Sequence, residues 1–363
     1  MAAAAEHDPR PRFLAESLRA FTATVFERLG VPAVDAAIGA EVLIDADLAG
    51  IESHGIAHLP WHPGYAPGLK RGIVSPDPKI EVVRSSPVAA TWDAGGGLGV
   101  VIAHRAMEAA IAKAQATGIG MIAVRNSRHF GAAGYYARMA AERDLVGMAM
   151  CNVPPIAVAA GGVERVFGTN PIAMAAPVQG GPPFLLDMAT TAVAAGKLEI
   201  AMRQGKPIPP GWAVDANGDE TADAEALRKG GALLPLGSRL ETSSYKGYGL
   251  GLMVDILCGV LPGMGSALFT DRSVLAQGQW FAAWSIAAFS DPLEFKAEMK
   301  KMADHIRATR PAIEGEPVLI PGDPEELARE ERTRLGIPLD EEAITQLRAL
   351  GEELGVAFPD PSV

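Results

Sequence analysis

Residues 121–140 read Met-Ile-Ala-Val-Arg-Asn-Ser-Arg-His-Phe-Gly-Ala-Ala-Gly-Tyr-Tyr-Ala-Arg-Met-Ala and hold the strongest local signal in the chain. The apolar run at residues 121–124 predicts a short buried strand, and Tyr136, Met139 and Ala140 then recur at helical spacing. Between them His129 lies in a polar, glycine-flanked loop, where open α/β sheets bind their ligands. An imidazole there can exchange protons near neutral pH, and the next helix's first N–H groups can hold an anion. The same residues also allow a loop histidine with only a structural hydrogen bond.

The α/β pattern continues on both sides of this loop. Strands are predicted at residues 80–83, 88–92 and 145–153, and an alanine-rich helix at 100–116. Helical spacing marks both ends of the chain, at residues 11–29, 34–42, 295–306, 324–335 and 339–354. We therefore predict an α/β unit over residues 76–290 and a helical unit formed by residues 1–75 together with 291–363.

Composition narrows the class of ligand. The chain has 363 residues, 48% of them hydrophobic, and a formal net charge of -11, which argues against nucleic acid or an anionic membrane as a partner. A small molecule is the expected ligand. Cys151 and Cys258 are the only cysteines, so the sequence has neither a disulfide framework nor a four-cysteine zinc site, as expected for a reducing cytoplasm. Residues 1–10 do not resemble a secretory signal, and the run at 250–261 is too short to span a bilayer.

A glycine-rich turn at residues 93–99, Asp-Ala-Gly-Gly-Gly-Leu-Gly, invites a dinucleotide-binding interpretation. The required third glycine is absent from every register, because Gly95 and Gly97 would need glycine at position 100, which is Val100. The pattern favours a plain turn over a Rossmann phosphate loop.

Three histidines, His54, His58 and His62, fall at four-residue steps that on a helix would align them for zinc. Gly55 and Pro60 interrupt such a helix, and no nearby acid supplies a fourth ligand. The alternatives are a metal-dependent hydrolase and a general acid/base role for His54.

A lysine precedes an apolar stretch in Ser244-Tyr-Lys-Gly-Tyr-Gly-Leu-Gly251. Lys246 could direct its ammonium at a carboxylate or phosphate, since the flanking glycines allow close approach. A solvated lysine ahead of a packed helix is the alternative.

Taken together, these pieces resemble the malate/L-lactate dehydrogenase family, which is distinct from the Rossmann-fold lactate dehydrogenases. The resemblance spans nearly the whole chain. The motifs that carry it are Ser53-His-Gly55, Asn126-Ser127 with His129 and Gly131, Gly161-Gly162, Gly168-Thr-Asn-Pro171, Asp187-Met-Ala-Thr190, Gly196-Lys197, Pro210-Gly-Trp-Ala-Val-Asp215, Leu234-Pro-Leu-Gly237, Lys246-Gly-Tyr-Gly249 and Ile320-Pro-Gly322.

The resemblance implies a homodimer with a non-Rossmann, mixed-sheet α/β domain that binds the nicotinamide cofactor, and a helical domain formed by the N- and C-terminal segments. It implies reversible hydride transfer to or from C2 of a small 2-hydroxy or 2-oxo acid, a carboxylate substrate. The proton carrier would be His54, beside Ser53, or His129, as in some members. The substrate would meet His58, Thr169 and Lys197. The cofactor-lining residues would be His129, Phe130, Gly131, Asp187, Met188, Ala189, Tyr245, Lys246, Pro321, Gly322 and Asp323.

Two positions bear on the substrate. One departs from the family pattern, and the other differs between members of the family. The family commonly has a carboxylate-binding arginine where this chain has His58, whose hold on an anion is weaker and depends on pH. Members that reduce cyclic imino acids tend to have an aspartate near Lys197, so this chain favours a hydroxy acid. An imino acid reductase and a ligand-binding protein without catalysis remain alternatives. The acidic segment 321–326 has no arginine for a 2′-phosphate, which favours NAD over NADP.

Overall fold

The computed structural model describes residues 8–203, 205–270, 273 and 275–362. Its helices are α1 (Ala15–Arg28), α2 (Ala33–Leu48), α3 (Ala66–Lys70), α4 (Gly99–Thr117), α5 (Ala133–Ala141), α6 (Ala195–Arg203), α7 (Tyr245–Asp255), α8 (Pro292–Arg307), α9 (Asp323–Leu335) and α10 (Glu341–Leu354). A π-helical turn, Ile256–Val260, continues α7. Among the residues that the structure describes, no helix is both long and apolar enough to cross a membrane.

The strands form one large sheet and two small ones. They are β1 (Arg12–Phe13), β2 (Glu81–Ser85), β3 (Ala89–Asp93), β4 (Ile119–Ser127), β5 (Leu145–Cys151), β6 (Ala157–Val158), β7 (Arg165–Phe167), β8 (Ile172–Ala176), β9 (Phe184–Met188), β10 (Ala213–Val214), β11 (Ala232–Leu233), β12 (Gln277–Ser285) and β13 (Ile337–Pro338). The large sheet has the order β2-β3-β4-β12-β5-β8-β9. Its β3–β4 pair is parallel and its other pairs are antiparallel, so the predicted mixed-sheet α/β fold is confirmed.

The strand, loop and helix predicted around His129 are all present. The apolar run 121–124 lies inside β4, and α5 begins four residues after His129. The turn at 93–99 packs against this loop, since a Cβ on Gly99 would lie 2.1 Å from the carbonyl oxygen of Arg128. The turn therefore supports the loop through backbone packing.

The central strand β12 is a finding that the sequence pattern did not predict. It lies between β4 and β5, and its residues Trp280–Ala283 are buried. A strand buried on both faces loses the alternation of polar and apolar residues that identifies a strand from sequence. β12 also brings Gln279 to the back of the His129 loop, where its amide donates to the carbonyl oxygen of Arg128.

The two ends of the chain lie together. β1 pairs with β13 in antiparallel register, and the ring of Phe358 contacts Phe13 and Phe21. A continuous buried core extends from these helices to α4 and the sheet. The division into a helical unit of residues 1–75 and 291–363 and an α/β unit of 76–290 stays a prediction.

Candidate active site

A cavity of about 1090 Å³ lies between the loop after α2, the His129 loop and the start of α6. It brings together three stretches that are far apart in the sequence, namely Ser53, His54 and His58, then His129, and then Thr169. Apolar side chains complete the lining, including Trp61, Val153, Ile156 and Ile200. We call this space the histidine cavity.

Four imidazole rings meet in the histidine cavity. The ring centroid of His54 lies 5.6 Å from that of His129, and the two rings are stacked. His62 lies 4.3 Å from His129, and His58 lies 5.7 Å from His62. The segment that carries His54 and His58 forms two separate 3-10 turns, broken at Gly55, so the interruption predicted from the sequence is confirmed.

The hydrogen bonds of His129 define its tautomer. The backbone N–H of Gly131 donates to Nδ1 at 3.4 Å, and the hydroxyl oxygen of Tyr65 lies 2.8 Å from the same nitrogen. A nitrogen that accepts from a backbone N–H carries no proton, which assigns the proton of neutral His129 to Nε2. Burial, followed by the neighbouring histidines, lowers the pKa of His129 well below its usual value.

His54 has a different partner. The Oγ of Ser53 lies 3.0 Å from its Nδ1, and a serine hydroxyl can either donate or accept. Both tautomers and the imidazolium of His54 therefore keep a partner at Nδ1. Burial lowers the pKa of His54 to about 4, so the ring is a neutral base at neutral pH.

His62 belongs to this site, although the sequence pointed to it only as a zinc ligand. Its Nδ1 accepts a hydrogen bond from the backbone N–H of Gly64 at 3.0 Å, and burial lowers its pKa to about 4. Within the described ranges, no group of three histidine, cysteine, aspartate or glutamate side chains is arranged to hold a metal ion.

The charge of the histidine cavity is mostly negative. Among the described residues, Arg10 is the only lysine or arginine in its lining, and its guanidinium is paired with Asp8 and Glu52. The ammonium of Lys197 lies 5.9 Å from the ring centroid of Trp212 and outside this lining. A substrate role for Lys197 remains a prediction.

A second group of predicted residues lies at the start of α5. The carboxylate of Asp187 accepts a hydrogen bond from the N–H of Gly134 at 2.6 Å, and burial raises its pKa to about 6. The carbonyl oxygen of Pro321 accepts from the N–H of Leu185 on the same strand, so the turn 321–323 also lies here. Gly322 has a φ of 104°, a left-handed conformation that favours glycine. Asp323 is paired with Arg307.

The remaining predicted cofactor residues take other positions. Phe130 is buried and its ring stacks on Tyr136, while Gly131 has a φ of 75°. Met188 ends β9, and Ala189 follows it. Tyr245 and Lys246 are exposed at the start of α7. In the described part of the chain, no hydrogen bond, ion pair or ring contact joins their side chains to the histidine cavity or to the group around Asp187.

Two residues that shape the site were not predicted. Tyr65 contacts His129, and Asp47 contacts the backbone just after His54. Neither belongs to a local motif, because each acts on a residue that the fold brings to it. The only sequence feature that could have indicated a residue packed here is the glycine in Ser53-His-Gly55. A glycine at such a position can mean that another side chain lies too close for a Cβ, as Asp47 does.

The chain is similar in sequence and in structure to known dehydrogenases. The sequence pattern of the malate/L-lactate dehydrogenase family matches residues 13–348. The chain is 43% identical over 345 residues to the malate dehydrogenase of Pyrococcus abyssi, covering 94% of each chain. It is 39% identical to the L-sulfolactate dehydrogenase of Methanocaldococcus jannaschii, covering 93% of this chain and 95% of that one. The solved structure of the Pyrococcus horikoshii malate dehydrogenase superimposes with a TM-score of 0.89 at 40% identity, covering 96% of this chain and 97% of that one.

Proposed function

The chain belongs to the malate/L-lactate dehydrogenase family, and from that premise we propose how its histidine cavity works. The protein is a nicotinamide-dependent oxidoreductase that transfers a hydride to or from C2 of a small 2-hydroxy acid. The observation that carries the site assignment is the meeting of His54 and His129 in one cavity, with Ser53 at His54.

His54 moves the proton. In the oxidative direction its Nε2 takes the proton of the substrate hydroxyl as the C2–H bond breaks, and Nδ1 then donates to the Oγ of Ser53. In the reductive direction the imidazolium returns that proton to the new alkoxide. A positioned acid/base group of this kind contributes about 10²- to 10⁴-fold to the rate.

His129 acts as a neutral hydrogen-bond donor. Its Nδ1 accepts from Gly131, so formation of an imidazolium would place two hydrogens against each other. Its Nε2–H can instead donate to the substrate oxygen and stabilise the negative charge that develops there. These contacts support His54 as the proton carrier and His129 as a neutral donor in this proposal.

The histidine cavity fits the reacting end of a nicotinamide cofactor. Its volume of about 1090 Å³ exceeds that of a small hydroxy acid, and its apolar side chains, including Trp61 and Ile156, suit a planar ring. When bound, the nicotinamide accepts the hydride at its C4 position or returns it.

Asp187 and the turn 321–323 would hold the remainder of the cofactor. NAD is the favoured cofactor, because Asp187 and the neighbouring Glu325 present negative charge that would repel a 2′-phosphate. A KM for NAD at least about tenfold below that for NADP is expected, which corresponds to about 1.4 kcal/mol of discrimination. A lower KM for NADP would overturn this choice.

The substrate is a small 2-hydroxy acid of the size of malate or lactate. Thr169 and His58 line the histidine cavity and can hydrogen bond to its carboxylate. Malate and sulfolactate, which give two relatives their names, are both 2-hydroxy acids with an acidic group on C3. Both are therefore the first substrates to test.

The deciding experiment is a substrate panel with the wild-type protein, H54A and H129A, read by nicotinamide absorbance. The panel contains malate, lactate and sulfolactate with their 2-oxo acids, each oxo acid with and without an added amine. We expect turnover without amine, a loss of at least about 10²-fold in H54A, and a smaller loss in H129A. Near-wild-type turnover in both variants, with cofactor binding intact, would refute the assignment. Turnover only with amine would indicate an imino acid reductase, and cofactor binding without turnover a non-catalytic protein.

The assembly we propose is a homodimer in a reducing cytoplasm. Large apolar side chains are exposed on and before α8, including Phe289, Leu293 and Met302. Contiguous exposed apolar surface is typical of protein interfaces. Cys151 and Cys258 are both free and buried, as expected of a cytoplasmic protein. Light scattering on the purified protein gives the mass of the assembly, and a monomer at micromolar concentration would contradict the dimer.

A further inference from the structure

A buried carboxylate lies directly beneath the loop that carries His54. Asp47, near the end of α2, is 1% exposed. One of its carboxylate oxygens accepts a hydrogen bond from the backbone N–H of Ile56 at 2.7 Å. Ile56 begins the turn that follows Gly55, two residues after His54, so this bond fixes the backbone next to the catalytic ring.

The glycine after His54 is explained by the same carboxylate. Gly55 has φ -88° and ψ -163°, which any residue can adopt, so its backbone conformation does not require glycine. A Cβ at Gly55 would lie 1.8 Å from the Oδ1 of Asp47, far inside van der Waals contact. The carboxylate therefore packs on the Cα of Gly55, and the two positions are sterically coupled.

The start of the same loop is held from the far end of the chain. Arg332 on α9 donates from Nη1 to the carbonyl oxygen of Asp47 at 2.7 Å and from Nη2 to Glu52 at 2.6 Å. Glu52 also accepts from both terminal nitrogens of Arg10. The segment from Asp47 to Ile56 is thus held at both ends, with Ser53 and His54 between the two attachments.

We propose that Asp47 is a positioning residue for the dehydrogenase reaction, which holds the turn at Gly55 and Ile56 so that the His54 ring faces the substrate. This inference rests on the proposed role of His54. Asp47 borders the histidine cavity, but its carboxylate bonds to the backbone N–H of Ile56, and it acts on His54 through that backbone. Because hydride transfer depends steeply on geometry, a displacement of the ring by about 1 Å can cost about 10²-fold in rate.

Burial of this carboxylate is costly, and the chain retains it. Burial raises the pKa of Asp47 to about 7, while the Ile56 bond and the charge of Arg332 lower it. An apolar side chain at this position would avoid that cost, but it would leave the N–H of Ile56 without an acceptor. The property to test is therefore the ability of residue 47 to accept the hydrogen bond from the N–H of Ile56.

The test compares D47A, D47N and D45A by kcat, by KM for cofactor and substrate, and by Tm. D47A removes the acceptor, so kcat is expected to fall at least about tenfold. The cofactor KM is expected to stay within about twofold, since Asp47 bonds to Ile56 and not to Asp187 or the turn 321–323, which are proposed to hold the rest of the cofactor. D47N keeps an acceptor oxygen of the same size and is expected to retain kcat within about threefold. Asp45 is the matched control, because it is a buried aspartate on the same helix, paired with Arg138 and Arg329 outside the histidine cavity. D45A is expected to lower Tm and leave kcat within about threefold.

The steric coupling between Asp47 and Gly55 can be measured independently by combining substitutions at both positions. G55A should lower kcat by itself, and D47A/G55A should lose less than the product of the two single losses, because the shorter side chain makes room for the new methyl group. If D47A does not fold, D47N and G55A decide: retained kcat in D47N with at least a tenfold loss in G55A supports the proposal, and wild-type kcat in G55A refutes it.

Two results would overturn the role of Asp47: wild-type kcat in D47A, or an equal loss of kcat in D45A. Failure of the underlying function looks different, since H54A would then retain turnover. If H54A is inactive and D47A is fully active, the proposed function stands and only the role of Asp47 is wrong.

Discussion

The hydroxyl oxygen of Tyr65 lies 2.8 Å from the Nδ1 of His129, so a side chain behind the lining of the histidine cavity contacts one of the imidazoles that line it. Tyr65 is fully buried, which raises the pKa of its hydroxyl and keeps the phenol protonated. The phenol can therefore donate at every working pH, and it fixes the orientation of the His129 ring.

Replacement of Tyr65 by phenylalanine should lower kcat about fivefold to tenfold, the equivalent of one hydrogen bond of about 1 kcal/mol. The fold should persist, because Gly131 still donates to Nδ1. A matched control exists in Tyr135, whose hydroxyl lies 3.2 Å from the Nδ1 of His104, a pair that does not line the histidine cavity. Y135F should keep wild-type kcat. Steady-state kinetics of both variants test this, and equal effects would show that the Tyr65 pair has no special role.

Substitution of His58 by arginine should lower KM for the 2-oxo acid about tenfold. A guanidinium is charged at every working pH and binds a carboxylate through two parallel hydrogen bonds, whereas an imidazole offers one. H58Q, which is polar but uncharged, is the control and should not lower KM. The measurement is KM between pH 6 and 9. An unchanged KM in H58R would place the carboxylate elsewhere in the histidine cavity.

His62 should make the protein less stable in acid. Its pKa is about 4 in the fold against 6.5 in an unfolded chain, so between those values the unfolded state binds the extra proton. The stability that neutral His62 contributes is present above pH 6.5 and is lost as pH falls toward 4. H62N keeps an acceptor for Gly64 and removes the titration. Its loss of Tm between pH 6.5 and 4.5 should be smaller than that of the wild type, and an identical loss would contradict the prediction.

Replacement of Gly99 by alanine should destabilise the protein by about 2 kcal/mol or more, because the new Cβ would meet backbone oxygens of Arg128 and His129 at 2.1 and 2.3 Å. Backbone atoms cannot move aside as a flexible side chain can. Gly249 is the control, since it is also helical and a Cβ added to it would have no neighbouring atom within 4 Å. G249A should stabilise the helix by up to about 1 kcal/mol. Denaturant unfolding measures both, and equal stabilities would contradict the close packing of Gly99 on the loop.

Local pattern was sufficient for much of this fold. The strand before His129, the helix after it and the helices at both ends of the chain follow from apolar periodicity and from glycine and proline positions, which act within a few residues. The broken helix at His54 and His58 was predictable for the same reason. The central strand β12 was not, since burial on both faces removed its alternation.

The sequence by itself determined the family motifs and the candidate histidines, His54 and His129, because these depend on residue type and short spacing. Only the tertiary structure decided which side chains meet. It placed His62 and Tyr65 against His129, turned Lys197 toward Trp212, and set Asp47 beneath Gly55. Such contacts join residues that are distant in the chain or whose side-chain directions depend on packing, so they arise only when the core closes around them.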